Sequence, residues 1–378
     1  MTVTPSRLVP ITRPHLPARE EFTAIVEELF NTRMLSNFSK YSRLLEERAA
    51  VALDHPAPLC VSSCDVGLTL AWKALECPPS EVIVPSFTFC STVNALRWNG
   101  LTPVFADVDP ETYCVDVDDV RRLITPRTVG IAAVHVFGLP ADIESLQDLA
   151  AEHGLSLVFD AAHGLGGRYD GKALGAFGDA SVFSLSGTKL VTGGEGGLAT
   201  FRDPEAAERF SYLRAYGFKA DYNCRHIGLN GKLSELNAAL AWLSLDLLGE
   251  AVTRRQAQVQ RYRQALESCL DLVWQKVLPG RVHGYKDLAV EFPTARHRSA
   301  AETALAAAGV MTKRYFFPVH RMEAYRGHAL RRLPVTDDLY DRLLCIPIYF
   351  DLEDQQIDDI AKHLTEGVRK AARDRSAA

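Results

Sequence analysis

The chain has 378 residues, of which 47% are hydrophobic and 24% charged, and its formal net charge is −5. These values are typical of a globular protein with a large buried core, and this length predicts two domains. The sequence has no run of about 18 apolar residues and no long block of like charge, which excludes a membrane-spanning helix and gives no electrostatic footprint for nucleic acid.

The proline-rich first seventeen residues predict an extended arm. They contain no continuous apolar segment of the kind found in a signal peptide, so we expect a cytoplasmic protein. The eight cysteines are scattered and show no zinc-binding spacing, which predicts reduced, mostly buried thiols and no metal site.

Helical periodicity follows in two segments, Glu20 to Arg33 and Tyr41 to Leu53. The next segment, Val61 to Glu76, predicts a short strand, a polar turn and a helix. A helix that begins at this turn presents free amides and the positive end of its dipole, which suits a phosphate group.

Apolar segments rich in β-branched residues then alternate with helical or glycine-rich segments. Strands are predicted at 82–84, 103–108, 129–136, 155–160, 180–184 and 197–201. The clearest helices between them, 116–124 and 142–153, each begin at an aspartate that we expect to act as a cap. This alternation predicts a mainly parallel sheet with helices on both faces, in which ligands bind at the carboxyl ends of the strands.

The C-terminal part of the chain has a different character. Helices are predicted from Pro204 to about Ala215 and over 234–248 and 251–269, followed by short strands at 288–292 and 310–316, an alanine-rich helix and a last helix over 354–371. We therefore expect a large domain over residues 1–250 and a small α+β domain over residues 251–378.

The stretch from Val158 to Gly197 brings two chemically matched residues to neighbouring strand ends. Asp160 closes one apolar segment, and Lys189 follows the next one among serine, threonine and glycine residues. Pyridoxal phosphate chemistry requires this pair, because a lysine forms the Schiff base and a carboxylate keeps a proton on the pyridine nitrogen.

The same stretch carries a family resemblance in the motifs D-A-A-H, F-S-x-x-x-T-K and G-E-G-G. These motifs, with EVIVPSFTF, NGLTPVFADVDPETY and VHVFGLPAD upstream and GLNGKLSELNAA downstream, resemble sugar-nucleotide aminotransferases of the DegT/DnrJ/EryC1/StrS family. The resemblance covers nearly the whole chain. It implies the fold-type I aminotransferase architecture, an α/β fold with a large, mainly parallel seven-stranded domain covered by helices and a small C-terminal α+β domain.

The resemblance implies roles for four residues of this stretch. Lys189 would form the Schiff base and carry the proton between the donor's α-carbon and the cofactor, and Asp160 would hold the pyridine nitrogen proton. His163 would pack on the ring or reach its phenolic oxygen, and Ser184 would bind the phosphate. A surface lysine, a turn-capping aspartate and a structural histidine are the alternative interpretations.

Five further residues match family positions elsewhere in the chain. Phe89 would stack on the other face of the ring, although an aromatic residue in a β-rich core needs no function. Cys64, Asp65 and Val66 match the phosphate loop, but the family usually has Gly-Thr or Ala-Thr where this chain has Cys64 and Asp65. The Asp65 carboxylate would repel a phosphate, so we expect its amide to donate while its side chain turns away to cap the helix. Asn230 resembles a residue that reaches the phosphate of a neighbouring subunit, which implies a homodimer with a shared active site.

The implied function is transamination of a nucleoside-diphosphate keto-sugar, a dTDP- or UDP-4-keto sugar, with pyridoxal 5'-phosphate as cofactor and L-glutamate as amino donor. The product would be an amino sugar, for surface glycans or for glycosylated natural products. The high alanine and arginine content indicates a GC-rich genome, which favours the natural-product pathway. The alternatives are a 3-keto sugar as substrate, a sugar dehydratase, or a non-catalytic regulatory protein on the same fold. Lys189 argues against the dehydratase, because such relatives carry histidine at that position.

Overall fold

The computed structural model describes residues 8–218, 221–267, 269 and 271–376, and these residues form three sheets, one of seven strands and two of three strands. The first seven residues of the predicted N-terminal arm lie outside this description. Thirteen strands occur in the described part of the chain: β1 Leu59–Val61, β2 Glu81–Pro85, β3 Thr102–Ala106, β4 Thr128–Val134, β5 Ser156–Asp160, β6 Arg168–Tyr169, β7 Lys172–Ala173, β8 Ala180–Ser184, β9 Gly197–Phe201, β10 Val273–Trp274, β11 Arg281–Val282, β12 Leu288–Glu291 and β13 Leu343–Ile346.

The larger sheet has seven strands in the order β1-β9-β8-β5-β4-β2-β3. Its central pairs are parallel, and only β9 runs antiparallel to its neighbours β1 and β8. The parallel pair β5 and β8 places Asp160 opposite Val182, so the last residues of both strands, Asp160 and Ser184, lie at one edge of the sheet. This edge is where a ligand site is expected.

Twelve α-helices occur within the described ranges: α1 Arg19–Thr32, α2 Lys40–Ala52, α3 Cys64–Ala74, α4 Cys90–Trp98, α5 Val117–Leu123, α6 Ile143–His153, α7 Pro204–Leu213, α8 Glu235–Leu245, α9 Leu248–Ala265, α10 Ala295–Ala307, α11 Pro334–Arg342 and α12 Asp354–Ser376. Alternate residues of the large sheet face opposite layers, as the pleat requires. Ile83 packs in the core that contains α1, α2, α6 and α8, whereas Val82 and Val84 pack in the core that contains α3, α4 and α7. Helices on both faces of a mainly parallel sheet confirm the predicted α/β architecture.

Of the two three-stranded sheets, β11-β6-β7 consists of two-residue strands, whereas β10-β12-β13 has its own core with α9, α10 and α12. Val290 and Ile346 from its strands and Leu305 and Leu364 from its helices are fully buried there. This layer is the small α+β part that the sequence predicted. The boundary between residues 250 and 251 lies in the first turn of α9 and stays a prediction.

Three predictions of local structure were wrong. The segment 310–316 forms only isolated bridges, from Val310 to Val9 and from Lys313 to Cys345. The strands that pair with β12 are β10 and β13, and β13 is a short segment that directly follows α11. The last helix continues past 371 to Ser376. Asp116 caps α5 through its side chain, but Asp142 makes no such bond at the start of α6.

The eight cysteines are all unpaired, and four of them are fully buried. None of the helices in the described ranges combines the length and apolarity that a membrane crossing requires.

Candidate active site

A cavity of about 350 Å³ lies at the carboxyl edge of the large sheet. Seven of the nine predicted site residues line it: Cys64, Asp65, Phe89, Asp160, His163, Ser184 and Lys189. The sheet and the start of α3 form one wall, and residues Lys286, Lys313, Tyr315 and Phe316 of the C-terminal part form the other. The structure therefore brings together side chains that are far apart in the sequence.

Asp160 is held by two hydrogen bonds at the end of β5. Its Oδ1 accepts from the amide of Ala162 at 3.0 Å, and its Oδ2 accepts from Oγ1 of Thr92 at 2.6 Å. Burial raises the pKa of Asp160, whereas these two donors and the positive charge of Lys189 lower it. Thr92 was not among the predicted site residues, because a threonine in the first turn of a helix gives no sign of a partner so distant in the chain.

Lys189 lies in the turn after β8 and is partly buried. Burial and then the positive charge of Lys286 lower the pKa of the Lys189 ammonium to about 8. A lysine with this pKa has a substantial neutral fraction near neutral pH, which is the form that attacks a carbonyl carbon.

His163 lies between the large sheet and the C-terminal wall. Its ring is roughly parallel to that of Phe316, with 6.0 Å between the ring centroids, and its Nδ1 is buried without a hydrogen-bond partner among the described residues. Burial and then the nearby charge of Lys189 lower the pKa of His163 well below its usual value. The imidazole is therefore neutral, and its Nδ1, which lacks a hydrogen-bond partner within the described part of the chain, is available to a bound ligand.

The start of α3 forms a polar end of the cavity. Ser63 caps this helix, with its Oγ accepting from the amide of Val66 at 3.1 Å. The expectation that Asp65 caps the helix was therefore wrong. The amides of Cys64 and Asp65 belong to the first turn and have no acceptor within the helix, so they can donate to an anion.

Ser184 completes this end from the neighbouring strand. Its Oγ accepts from the amide of Ser186 at 3.3 Å, which leaves its hydroxyl proton for another acceptor. Asp65 is exposed beside the same helix start, and no cation pairs with it among the described residues. A phosphate here would meet amide and hydroxyl donors and one unfavourable carboxylate.

Phe89 stands at the cavity mouth as the residue before α4, and its side chain is 59% exposed. It therefore does not belong to the core, which was its alternative interpretation. An exposed aromatic face beside a cavity can stack on a planar ligand ring.

Val66 and Asn230 do not line the cavity. The amide of Val66 already donates to Ser63, and Asn230 is exposed, with its Oδ1 accepting from Nζ of Lys232 at 2.7 Å. The cofactor roles of these two residues stay predictions, and the role of Asn230 requires a second subunit.

The C-terminal wall contains charged residues that the motifs did not indicate. Lys286 is only 3% exposed, and its Nζ pairs with the buried Asp287 at 2.9 Å. Lys313 is exposed, and its Nζ lies 4.6 Å from the ring centroid of Tyr315. Neither lysine lies in a motif, so only the folded chain shows that they line the same cavity as Lys189.

A wider cleft of about 1230 Å³ lies beside α9 and β10, where Arg263 stands 5.7 Å from the ring centroid of Trp274. Its lining includes none of the nine predicted site residues. We assign the candidate site to the smaller cavity, because titratable groups with shifted pKa values converge there.

The smaller cavity fits pyridoxal 5'-phosphate by the chemistry of its donors. Asp160 offers a carboxylate for a protonated ring nitrogen, the start of α3 and Ser184 offer donors for a phosphate, and Lys189 offers an amine. The free Nδ1 of His163 and the exposed ring of Phe89 give this ligand further contacts.

Comparison with known proteins gives one consistent result. Residues 17–365 match the model of the DegT/DnrJ/EryC1/StrS aminotransferase family. The chain is 34% identical over 305 residues to a UDP-N-acetyl-3-dehydro-alpha-D-glucosamine 3-aminotransferase of Acidithiobacillus ferrooxidans, covering 80% of this chain and 81% of the relative.

Two further matches cover almost the whole chain. A GDP-perosamine synthase of Escherichia coli O157:H7 is 30% identical over 363 residues, which are 95% of this chain and 98% of the relative. The crystal structure of DesI in the presence of its TDP-sugar product superimposes with a TM-score of 0.91 at 35% identity, covering 98% of this chain and 96% of that one.

Proposed function

Because this chain belongs to the DegT/DnrJ/EryC1/StrS aminotransferase family, we propose that it transfers the amino group of L-glutamate to a nucleoside-diphosphate keto-sugar with pyridoxal 5'-phosphate as cofactor. The observation that carries the proposal is the convergence of Lys189, Asp160, His163 and Ser184 on one cavity. An aminotransferase has a chemical use for all four, whereas a non-catalytic protein has none.

The cofactor, when bound, supplies an electron sink that stabilises the negative charge left on carbon after a proton is removed. Lys189 would hold the cofactor through its amine, and the same amine would move the proton between the donor's α-carbon and the cofactor. Its lowered pKa of about 8 allows it to act as a base near neutral pH. Lys286 contributes to this lowering from the opposite wall.

Asp160 keeps the ring nitrogen protonated, because a buried carboxylate favours a positive charge beside it. His163 is neutral, so it packs against the ring without adding charge, while Phe89 covers the other face. The amides of Cys64 and Asp65 and the hydroxyl of Ser184 hold the phosphate at the start of α3.

The exposed mouth of the cavity supports a substrate larger than an amino acid. Phe89 and Lys313 stand there, an aromatic ring and a cation beside the opening. Nucleotide sugars present a planar base and a diphosphate, so both contacts suit this substrate class. We propose a 4-keto sugar, in line with a dTDP-4-amino-4,6-dideoxy-D-glucose transaminase of Escherichia coli that is 28% identical to this chain over 368 residues.

A 3-keto sugar is the second candidate, because the 3-aminotransferase of Acidithiobacillus ferrooxidans is 34% identical to this chain. We also propose a homodimer with a shared active site. In it the exposed Asn230 of one subunit reaches the phosphate bound by its partner.

The test is a visible spectrum of the purified protein with pyridoxal 5'-phosphate, then with L-glutamate, then with a nucleotide 4-keto-6-deoxy sugar. We expect a band from the Lys189 linkage, its loss with glutamate and its return with the keto-sugar. Loss of the band without its return would favour a 3-keto sugar as the substrate. A band that never forms, or that glutamate leaves unchanged, would overturn the proposal in favour of a regulatory protein.

A further inference from the structure

Two buried threonines connect α4 to Asp160. Oγ1 of Thr88 and Oγ1 of Thr92 lie 2.8 Å apart, and Oγ1 of Thr92 lies 2.6 Å from Oδ2 of Asp160. Thr88, Thr92 and Asp160 are 1%, 2% and 5% exposed, so water does not compete for these contacts.

The direction of these two hydrogen bonds follows from the number of protons available. A carboxylate can only accept, and a threonine hydroxyl has one proton. Thr92 must donate that proton to Asp160, and Thr88 must therefore donate to Thr92. The order is Thr88 to Thr92 to Asp160, and it holds only while Asp160 is ionised.

The amide of Ala162 donates to the other oxygen of Asp160, Oδ1, at 3.0 Å, so both carboxylate oxygens accept a hydrogen bond. Resting on the function proposed above, we infer that Thr92 is a positioning residue: its hydroxyl keeps Asp160 as an oriented carboxylate for the ring nitrogen, and Thr88 fixes the direction of that hydroxyl.

The surroundings of Asp160 give this hydrogen bond its importance. Burial raises the pKa of Asp160, and the negative charge of Asp65 raises it further, whereas the positive charge of Lys189 lowers it. The thiol of Cys64 is another acidic group near this carboxylate. Without Thr92, the buried carboxylate would retain a proton more readily and could no longer balance a charge on the ring.

The first test uses the cofactor-free protein. Thr92→Val keeps the shape of the side chain and removes the hydroxyl, while Thr92→Ser keeps the hydroxyl and serves as the matched control. The valine variant should lose more stability at pH 7 than at pH 4.5, because protonated Asp160 no longer requires a donor. The sign follows from linkage, since a carboxyl group with a raised pKa in the folded state contributes less stability as the pH rises. A loss that is equal at both pH values would overturn the inference.

The second test measures the dissociation constant of pyridoxal 5'-phosphate by absorbance. We expect about a 10-fold increase for Thr92→Val, a value typical of a lost hydrogen bond to a charged group, and recovery to within about threefold for Thr92→Ser. Thr88→Val should give a smaller increase, because it leaves the bond to Asp160 in place. It also provides the measurement if Thr92→Val does not fold.

These outcomes separate the two proposals. If the wild-type protein forms no visible band, the proposed function fails, and the pH test of the cofactor-free protein still decides the role of Thr92. Equal dissociation constants for the wild type, Thr92→Val and Thr88→Val would overturn the inference while leaving the proposed function intact.

Discussion

Nδ1 of His163 lies 3.9 Å from Oδ2 of Asp287, so the C-terminal wall places a carboxylate beside the histidine of the D-A-A-H motif. This distance exceeds a hydrogen bond, and Asp287 is already paired with Lys286 at 2.9 Å. Burial and the charge of Lys189 lower the pKa of His163 well below its usual value, and Asp287 does not reverse this effect. The imidazole next to the proposed cofactor ring is neutral for this reason.

Replacing Lys189 tests the central assignment. Lys189→Arg keeps a positive charge but cannot form the covalent linkage, so we expect no visible band with pyridoxal 5'-phosphate and at least about a 1,000-fold loss of amino transfer. Absorbance and glutamate-dependent formation of 2-oxoglutarate measure the two effects. Lys313→Arg is the matched control, and it should retain the band. A Lys189→Arg protein with a normal band would disprove the assignment.

The pair of Lys286 and Asp287 should set the pH range of the proposed reaction. Lys286 lowers the pKa of Lys189, so Lys286→Met should raise it and move the formation of the visible band to higher pH. The rate at which the cofactor-free protein develops this band, measured between pH 6 and 9.5, reports the shift. Asp287 raises the pKa of Lys189, so the shift should be smaller in the double variant that combines Lys286→Met with Asp287→Asn. A profile that coincides with that of the wild type would show that Lys286 has no influence on Lys189.

The strands of the large sheet and the motif residues could be predicted because they depend on local patterns. Asp160 closes an apolar strand and Lys189 follows another, and the alternation of strands and helices is sufficient to place both at one edge of a parallel sheet. The short strand, polar turn and helix between Val61 and Glu76 were likewise visible in the sequence. These features require no knowledge of contacts between distant segments.

The contacts of Thr92 and Lys286 could not be predicted, because they depend on how distant segments meet. Lys286 is a buried cation whose partner is the next residue, and no spacing rule distinguishes it from a surface lysine before folding. The short strand β13 was missed for a related reason. Its four residues pair with β12 far earlier in the chain, and a segment of that length gives a weak signal.

Asp65 should weaken the binding of the cofactor phosphate. It is exposed at the start of α3, where a phosphate dianion would meet its negative charge. We expect Asp65→Asn to lower the dissociation constant of pyridoxal 5'-phosphate by about two- to fivefold, the scale of a partly screened charge interaction. Asp65→Glu keeps the charge and should leave the constant unchanged. Pyridoxal, which lacks the phosphate, should bind the wild type and the asparagine variant with the same dissociation constant. An equal gain in affinity for pyridoxal would show that the effect does not act through the phosphate.

Two buried histidines should make the fold sensitive to mild acid. Nδ1 of His135 accepts from the amide of Ala141 at 3.0 Å and Nδ1 of His283 accepts from the amide of Tyr285 at 2.8 Å, so neither ring can take a second proton without losing a bond. Burial lowers the pKa of each to about 3, with smaller contributions from Arg281 at His135 and Arg263 at His283. The unfolded chain binds these protons below about pH 6.5, so stability is lost as the pH falls from there toward 3, by about 1.4 kcal/mol per pH unit for each ring.

His135→Asn keeps an acceptor near the Nδ1 position and cannot titrate, so between pH 6.5 and 5 its free energy of unfolding should fall by about 2 kcal/mol less than that of the wild type. Urea unfolding at a series of pH values measures this difference. His153→Asn, at an exposed position, is the control and should follow the wild-type slope; identical slopes for all three proteins would show that His135 is not held neutral by the fold.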